Sequence, residues 1–502
     1  MTSRPAAEGA CSRRPAGFVF LKGSRGIQRK AAMKQNTATD AQYRRMTEAP
    51  IPGLILSLCI PSIITSMITS IYNMVDTFFV AQLGTAAVAA VGVVFSISSV
   101  ISALGFWMGT GSSSLVSLQL GARQQETADR TASMGFYLSM AMGGVIAVGG
   151  LLFLRPLMRL LGSTPTILPE ACRYALPLLL GAPFQCSNLA LSQNLRAEGM
   201  SRESMAGQLA GGMLNMVLDP LFIFGLGWGV FGAGVATALS QAVVWAALLQ
   251  YYVRKKTVVR LSPRNLRMDG ALLAGIFSAG FPSLCRHCGN ALSSVVLNRA
   301  AGAFGDAVIA AFSVATRVTG LALSVSIGFV QAIQPVAGYA HGSKNHKRLR
   351  EAYDFTVAAS VAALTVIAAA IAFFARPIMF LLHIPEETVS VSVAVLRFSC
   401  VALPFTTLVN CTGTLFQAIK ESTRSSIIVL GRQVCVYVPL LILLSHFWGM
   451  SGLMAALPAA DAFSCLVAAV MARSFFAKLS AGPPSAGPPS AGSSSAGIGP
   501  AE

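Results

Sequence analysis

The peptide FLRPLMRLL at residues 153–161 recurs as FARPIMFLL at residues 374–382, an offset of 221 residues. One register holds, with no net gap, from residue 61 to residue 201 of the first copy. The same offset aligns these further pairs: Pro61-Ser62 with Pro282-Ser283, Gly84 with Gly305, Gly121 with Gly342, Pro183-Phe184 with Pro404-Phe405, and Ser201 with Ser422. So many matches in one register indicate two copies of one structural unit, and therefore a fold with two related halves.

The composition indicates a chain that lies mostly in a lipid bilayer. Of its 502 residues, 54% are hydrophobic and only 11% are charged, whereas about a quarter of an average soluble domain is charged. A soluble protein of this length could not cover its surface with so few charges. Ten cysteines scattered through so long a chain also argue against a disulfide-stabilised scaffold. The remaining class is a protein that crosses the membrane many times.

Twelve apolar segments are long enough to cross a bilayer as helices, because a hydrocarbon core of about 30 Å needs about 20 residues. A transmembrane barrel would show alternating segments of about ten residues, and none recur here. The predicted spans lie at residues 52–79, 86–119, 127–160, 167–194, 203–227, 231–252, 270–298, 307–339, 350–382, 388–416, 425–446 and 450–474.

Each repeat holds six of these spans. An even number returns the chain to its starting side, so the two halves enter the membrane in the same orientation. We therefore predict an all-α integral membrane protein with twelve transmembrane helices in two parallel six-helix bundles around a central cleft. The N-terminal bundle is expected at residues 51–258 and the C-terminal bundle at residues 259–479. Two bundles that face each other across a cleft suit alternating access by a transporter.

The two ends of the chain differ from its apolar middle. Residues 1–50 are basic and irregular, and we expect them to form a disordered extension. Met33 and Met46 lie shortly before the first span, and either is a candidate translation start. Residues 480–502 repeat Ala, Gly, Pro and Ser, a composition that cannot bury a core and predicts a disordered tail.

The basic residues fall mainly on one side of the predicted topology. Of 37 Lys and Arg residues, 28 lie in the ends of the chain and in the loops on the same side. The positive-inside rule then predicts a multi-pass protein of the plasma (inner) membrane with both termini in the cytoplasm. A nucleic-acid-binding protein would instead cluster its basic residues in a folded soluble domain. No such domain is visible in the sequence, so nucleic acid is not an expected partner.

Three acidic residues, Asp76, Asp219 and Asp461, lie in the apolar parts of predicted spans, where charge is costly and therefore indicates function. In the first span, Tyr72 precedes Asp76 by one helical turn and Asn73 precedes it by three residues, which places all three near one face. Carboxylate, amide and phenol oxygens suit a hard cation, and burial also favours the protonated form of a carboxyl group. The alternative is an Asp76 that lies at the membrane interface among lipid headgroups.

The second acid, Asp219 in the fifth span, has Asn215 one turn before it. Thr237 in the sixth span adds a hydroxyl oxygen to the same candidate site for H⁺ or Na⁺, and we expect no other metal site. The alternative is that Asp219 caps a helix break before Pro220. The third acid, Asp461, has no comparable cluster of partners in the sequence.

The second repeat does not carry the acids, since Leu297 and Leu440 occupy the positions that the offset reaches from Asp76 and Asp219. The cation chemistry is therefore expected in the N-terminal bundle alone. Structural pairing within the bundle is the expected role for most of the polar residues in the C-terminal spans, which are Arg286, His287, Asn290, Arg317, Gln331, Gln334, Arg432 and Gln433. Four prolines inside spans are expected to break or bend their helices: Pro61, Pro183, Pro282 and Pro404.

Motifs of nucleotide-driven pumps and of enzymes are missing from the sequence. It contains no Gly-Lys-Ser/Thr of a phosphate-binding loop, no HExxH and no GxSxG. These absences favour a secondary transporter without a cofactor over an ATPase or an intramembrane enzyme.

Several segments together resemble the multidrug and toxic compound extrusion (MATE) family, in the prokaryotic branch with an aspartate in the first helix. The resemblance covers about residues 50 to 475 and depends on the following stretches: Ile71–Val80 (IYNMVDTFFV), Gly109–Ser114 (GTGSSS), Leu195–Gly199 (LRAEG), Leu214–Phe224 (LNMVLDPLFIF), Gly232–Thr237 (GAGVAT) and Gln334–Tyr339 (QPVAGY).

The resemblance implies a monomeric exporter of cationic, amphipathic compounds that is driven by Na⁺ or H⁺. It also implies an N-terminal cation and substrate site whose matching positions here are Asp76, Tyr72, Asn215, Asp219 and Thr237, with Asn194 as a weaker match. Another branch of the family has a glutamate in the seventh helix, where this chain has Arg286 and His287. A cation site of that second kind is therefore not expected.

One rival function belongs to the same superfamily. A flippase of lipid-linked precursors needs a cationic cavity that binds pyrophosphate, and three arginines lie inside the C-terminal spans: Arg286, Arg317 and Arg432. This alternative predicts that the three guanidinium groups face the cleft together, whereas the exporter predicts that they are paired elsewhere.

Overall fold

The computed structural model describes residues 39–266, 269–382 and 386–480. The predictions for residues 1–38 and for the tail at 481–502 lie outside this range. Within it the chain is helical and has no strand, which confirms an all-α protein.

The first half, which we call the N-lobe, follows a short helix α1 at residues 39–48. Its helices are α2 (Ile51–Ala81), α3 (Thr85–Gly121), α4 (Gln125–Leu152), α5 (Leu154–Leu160), α6 (Leu168–Ala197), α7 (Ser201–Pro220) and α8 (Gly229–Val253). A π-helical turn, Leu221–Gly225, follows α7, and a 3₁₀ turn, Pro263–Asn265, lies in the long connection to the second half.

The second half, which we call the C-lobe, repeats this order. Its helices are α9 (Gly270–Gly302), α10 (Asp306–Gly342), α11 (His346–Phe373), α12 (Ala375–Leu381), α13 (Glu386–Ala418), α14 (Ser422–Leu430) and α15 (Val438–Ser480), with a π-helical segment, Gly431–Tyr437, before α15. Gly449 interrupts α15 with φ 57° and ψ −133°, so α15 contains two spans.

The twelve predicted spans agree with these helices to within a few residues, except that the third and ninth spans are each interrupted. The interruptions fall at Phe153 and Phe374, which are equivalent positions in the two repeats. Nine segments of the described chain meet a length and hydropathy criterion for membrane spans. That number counts α14 and α15 together and leaves out α6 and α9, whose polar residues lower their hydropathy.

Backbone conformation confirms the internal repeat. Gly84 has φ 106° and its equivalent Gly305 has φ 103°, while Arg123 and Lys344 both have φ 58°. Positive φ is costly for a residue with a Cβ atom. Its recurrence at Arg123 and Lys344 shows that the loop geometry of the two copies, and not only their sequence, is shared.

The prediction that residues 1–50 are disordered is wrong for residues 39–48, which form α1. Met46 is only 1% exposed, and the Tyr43 ring lies 4.3 Å from the guanidinium carbon of Arg123 in the N-lobe. On the other side, Arg348 of the C-lobe donates from Nη2 to the Ala49 carbonyl at 2.7 Å. The few apolar residues in this basic segment are sufficient to pack α1 against both lobes.

The lobes contact each other closely at the end where α2 begins, which we call the basal end. A Cβ atom on Gly121 of α3 would lie 2.6 Å from the Tyr339 carbonyl oxygen of α10, and Gly342 lies equally tightly against Leu118. Gln334 of α10 donates to the Ser113 hydroxyl at 2.9 Å. Small residues allow this backbone approach, so the space between the lobes lies toward the opposite end.

The buried carboxylate of Glu198 connects the loop after α6 to the loop after α8. Glu198, directly after α6, is fully buried, and its Oε2 accepts hydrogen bonds from the amides of Val258 at 2.6 Å and Val259 at 3.3 Å. Its Oε1 has no partner. Burial raises the pKa of Glu198 to about 8, even though both amide bonds lower it.

This raised pKa predicts that stability falls as the pH rises. Between the ordinary value of 4.5 and about 8, the folded protein holds a proton that the unfolded chain releases, so stability is lost with increasing pH in that window. We expect the free energy of unfolding to fall by about 2–3 kcal/mol between pH 6 and pH 9 from this group. Thermal unfolding in detergent should show the loss in wild type and not in Glu198→Gln. The exposed Glu351→Gln serves as control, and an equal loss in Glu198→Gln would contradict the assignment.

Candidate functional site

A cavity of about 580 Å³ lies between the lobes. Its wall is formed by α2, α3, α6, α7 and α8 of the N-lobe and by α9 and α10 of the C-lobe. It contains five of the seven residues that the sequence predicted for cation and substrate binding, namely Tyr72, Asn73, Asp76, Asn215 and Thr237. These five residues therefore lie on the N-lobe wall of one cavity, and their role in binding stays a prediction.

Asp76 lies on the α2 wall of the cavity without a hydrogen-bond donor for one of its oxygens. Its Oδ1 is buried and has no partner. Asn73 does not supply one, because its Nδ2 donates to the Thr69 carbonyl at 2.8 Å. Tyr72 packs instead against α7, where a Cβ on Gly212 would lie 3.3 Å from its ring. The Asp76 carboxylate is thus held in place by its helix but left with acceptor capacity.

Asp219 lies behind the cavity wall, at the end of α7. It is fully buried, and its Oδ1 accepts a hydrogen bond from Nδ2 of Asn215 at 3.2 Å. Its Oδ2 has no partner. Asn215 lines the cavity and so stands between the open space and this carboxylate. The helix does change to a π-helical turn after Pro220, as the alternative interpretation expected, but the carboxylate points to Asn215.

Each of the two carboxylates has one buried oxygen atom without a hydrogen-bond donor. None of the ion pairs in the described part of the chain involves either acid. A buried charge that is neither paired nor hydrogen-bonded is strongly unfavourable. A bound proton or small cation would satisfy the free oxygens of Asp76 and Asp219 and remove this cost.

Tyr174 of α6 belongs to the same cluster, although sequence reasoning missed it. It is 6% exposed and lines the cavity together with Asp76, Asn215 and Thr237. The one acid of the fourth span, Glu170, lies in the first turn of α6. The sequence argument followed acids in the apolar parts of the spans, so it did not consider this tyrosine. Farther along α6, Asn188 also lines the cavity and donates to Gln241 at 2.5 Å.

Asn194, like Asp219, does not line the cavity. It is fully buried and accepts a hydrogen bond from the Ser112 hydroxyl at 3.2 Å, where α6 packs on α3. Its position, nearer the basal end of α6, gives it a role in helix packing.

None of the four predicted helix-breaking prolines breaks its helix. Pro61, Pro183, Pro282 and Pro404 all lie inside helices that continue through them. Neighbouring helices and local adjustments of the backbone allow membrane helices to continue through a proline. A bend at these positions stays a prediction.

The C-lobe has a charged pair that the sequence did not reveal. Arg432 donates from Nε to Oδ1 of Asp461 at 2.5 Å and from Nη2 to Oδ2 at 3.1 Å, and the Thr406 hydroxyl also donates to Asp461. The expectation that Asp461 lacks partners is therefore wrong. Its partners are 29 and 55 residues away in the sequence, so no local spacing could show them.

The other polar residues of the C-lobe divide into paired and unpaired groups. Gln433 donates to Asn290 at 2.5 Å, in agreement with structural pairing. His287 lines the cavity, and its ring stacks on Phe106 with centroids 5.1 Å apart. Arg286, in contrast, has no hydrogen-bond partner for its buried Nε and Nη2.

The three arginines of the flippase alternative do not converge on the cleft. Arg432 is paired with Asp461, Arg317 is exposed, and none of the three lines the cavity. This arrangement does not fit a site for pyrophosphate, which would need several guanidinium groups directed at one point.

Comparison with known families gives a match to one family. The sequence matches the family described as MatE over residues 61–221 and again over residues 282–443. The two matches fall in the two repeats and together cover more than half of the chain.

Two curated relatives are similar over nearly their whole length. The multidrug export protein MepA of Staphylococcus aureus strain MSSA476 is 23% identical over 433 residues, which cover 86% of this chain and 95% of that protein. MepA of Staphylococcus haemolyticus is 24% identical with the same coverage.

Two solved structures are also similar. One is an outward-facing multidrug resistance MATE family transporter of the MOP superfamily, and the other is a MOP superfamily transporter from Pyrococcus furiosus. Each has a TM-score of 0.83 and 28% sequence identity, and the alignment covers 87% of this chain and 98% of the other.

Proposed function

Because this chain belongs to the MatE family of multidrug efflux transporters, we propose that it is a secondary antiporter that exports cationic, amphipathic drugs or toxic compounds in exchange for H⁺ or Na⁺. It is a membrane transporter rather than an enzyme, as the family and its relatives show. The choice of cargo and of coupling ion is our proposal.

The observation that carries the proposal is the pair of carboxylates with buried, unpartnered oxygens at the N-lobe wall of the cavity. Asp76 faces a space that is also lined by apolar side chains, among them Phe95, Phe106 and Leu178. Apolar area supplies most of the affinity for a lipophilic compound, while a carboxylate favours a cation over an anion. A cationic, amphipathic compound fits both properties of the wall.

The same carboxylates would couple export to an ion gradient. We propose that Asp76, Asn215, Asp219 and Thr237 receive H⁺ or Na⁺, with Tyr72 at their side. Ion binding cancels the charge that attracts the drug, so ion and drug compete for one wall. The ion need only have a different affinity for the two conformations of the carrier to drive the cycle.

The orientation follows from charge. Because 28 of the 37 basic residues are assigned to the basal side, we place that side and both termini in the cytoplasm. The protein then acts, as a monomer, in the plasma membrane, and its cavity opens outward. Asn73 contributes to the wall of the outward opening, whereas Asn194 supports the closed basal end.

Efflux from proteoliposomes under imposed gradients tests the function. We expect a cationic dye to move against its own concentration gradient when H⁺ or Na⁺ is supplied in the opposite direction, and to stop when the gradient is collapsed. Equal transport of anionic and cationic dyes would contradict the proposal. A transport rate that depends on neither the H⁺ gradient nor the Na⁺ gradient would also contradict it.

The orientation has its own test. Lys256 is an exposed residue in the connection between α8 and α9, and we expect a cysteine there to be inaccessible from outside the cell. The measurement is labelling of intact cells with an impermeant maleimide, using Lys256→Cys in a variant whose native cysteines are replaced by alanine. Thr166→Cys, exposed at the opposite end, should label readily. The reverse pattern would invert the topology.

A further inference from the structure

We propose that the C-lobe contains an anion-binding site built around Arg286 of α9, which accepts a singly charged anion, either the carboxylate of a substrate or a small inorganic anion such as chloride. This proposal extends the proposed export function, because it assigns a second recognition element to the transported compound.

The first observation is an unsatisfied guanidinium group. Nε and Nη2 of Arg286 are buried and have no hydrogen-bond partner. Arginine has five donors in a fixed plane and stays charged in proteins, so such a group is expected to be paired with an acceptor. The described part of the C-lobe offers no acidic partner in an ion pair with Arg286.

The second observation is the balance of charges around Arg286. The charged neighbour that acts on Arg286 is Arg432, which has the same sign. The nearby carboxylate of Asp461 is already engaged by Arg432 in two hydrogen bonds. Two guanidinium groups and one carboxylate leave one positive charge uncompensated in the interior of the C-lobe, and a monovalent anion would balance it.

The internal repeat gives the third observation. By the offset of 221 residues, Arg286 is equivalent to Thr65 and Asn290 is equivalent to Thr69 on α2. Thr65 and Thr69 line the cavity on the same helix as Asp76. Arg286 is therefore the C-lobe equivalent of a residue of the N-lobe cavity wall. It does not line the cavity itself, but the next residue, His287, does.

Taken together, the two lobes carry unpartnered groups of opposite charge. The N-lobe has two carboxylates with unpartnered oxygens, and the C-lobe has an unpartnered guanidinium group on the residue next to the cavity-lining His287. A compound with both a cationic group and a carboxylate could satisfy the groups of both lobes at once, whereas a purely cationic compound would satisfy only those of the N-lobe.

The test compares a zwitterionic rhodamine dye that has a free carboxylate with its methyl ester, which is a cation of almost the same shape. Transport of both dyes is measured in proteoliposomes for wild type, Arg286→Gln and Arg286→Lys. Because a hydrogen bond to a charged group is lost, we expect Arg286→Gln to raise KM for the zwitterion about tenfold and to leave KM for the ester unchanged. Arg286→Lys, which keeps the charge, should retain most of the discrimination.

A second measurement identifies the source of the anion. If the substrate carboxylate occupies the site, chloride in place of the bulky isethionate anion should compete with the zwitterion in wild type and not affect the ester. If chloride is the natural ligand, transport of both dyes should require chloride in wild type and lose that requirement in Arg286→Gln. Either result supports an anion site.

Two results would overturn the proposal. One is an Arg286→Gln protein that transports the zwitterion with the wild-type KM and shows the wild-type response to chloride. The other is an equal loss of both dyes in Arg286→Gln and Arg286→Lys with no chloride effect in wild type, which would give Arg286 a role in packing alone. Failure of the proposed export function would look different, since wild type would then transport neither dye against a gradient.

Discussion

Asp76→Asn is expected to abolish gradient-driven efflux while the protein remains folded and inserted. The asparagine has nearly the same shape as the carboxylate and mimics its neutral form, so the site can no longer alternate between a charged state and a cation-bound state. Oδ1 of Asp76 has no hydrogen-bond partner to lose, and folding should not suffer. We expect uphill efflux in proteoliposomes to fall by at least tenfold, toward the rate of empty vesicles.

Asp219→Asn should have the same effect on transport for a related reason. Its carboxylate accepts a hydrogen bond from Asn215, which lines the same cavity as Asp76, and we propose that the two acids bind the coupling ion together. The matched control is Asp354→Asn, an exposed carboxylate at the start of α11 that forms only a surface pair with Arg350. Uphill efflux at the normal rate by Asp76→Asn would place the coupling site elsewhere and would contradict the N-lobe mechanism.

The residues proposed for this site could be chosen from the sequence because their spacing is local. Asn215 and Asp219 are four residues apart on one helix, as are Tyr72 and Asp76, so helical periodicity alone places each pair on one face. Tyr174 comes to the same cluster from α6. That contact depends on how α6 packs between α3 and α8, which a single sequence does not specify.

The repeat predicted the architecture for a similar reason, since it is a property of the sequence itself. It could not predict how the lobes meet. The close approach of Gly121 to Tyr339, and of Gly342 to Leu118, depends on the relative position of two helices more than 200 residues apart. The packing of α1 against both lobes also depends on that assembly, and for this reason residues 39–48 looked like a disordered extension.

Acidic residues inside the membrane spans occur in both lobes, but their hydrogen-bond partners differ between the lobes. In the N-lobe the acids keep free acceptors beside an open cavity. In the C-lobe, Asp461 is satisfied by Arg432 and Thr406. A carboxylate with free oxygens can bind a cation, whereas one that already accepts three hydrogen bonds stabilises the fold. We therefore propose different roles for the acids of the two lobes.

This difference predicts that Asp461→Asn lowers stability, in contrast to Asp76→Asn. Removing the carboxylate leaves the guanidinium group of Arg432 in the bundle without its partner, and breaking a buried ion pair in this way typically costs about 3–5 kcal/mol. Asp461 is 1% and Arg432 is 13% exposed as side chains, so solvent screens the loss only weakly. Thermal unfolding of the purified protein in detergent should show a clear fall in Tm for Asp461→Asn and little change for Asp76→Asn.

The double variant Arg432→Gln/Asp461→Asn separates the ion pair from simple loss of packing. Gln and Asn can still hydrogen-bond each other and Thr406, and no charge is left unpaired, so Tm should recover most of the loss seen in Asp461→Asn alone. The two single changes should therefore be strongly non-additive, as expected for residues in direct contact. If the double variant is as unstable as the sum of the two single variants, Asp461 does not act through Arg432, and the C-lobe acid would have to be considered as a second cation site.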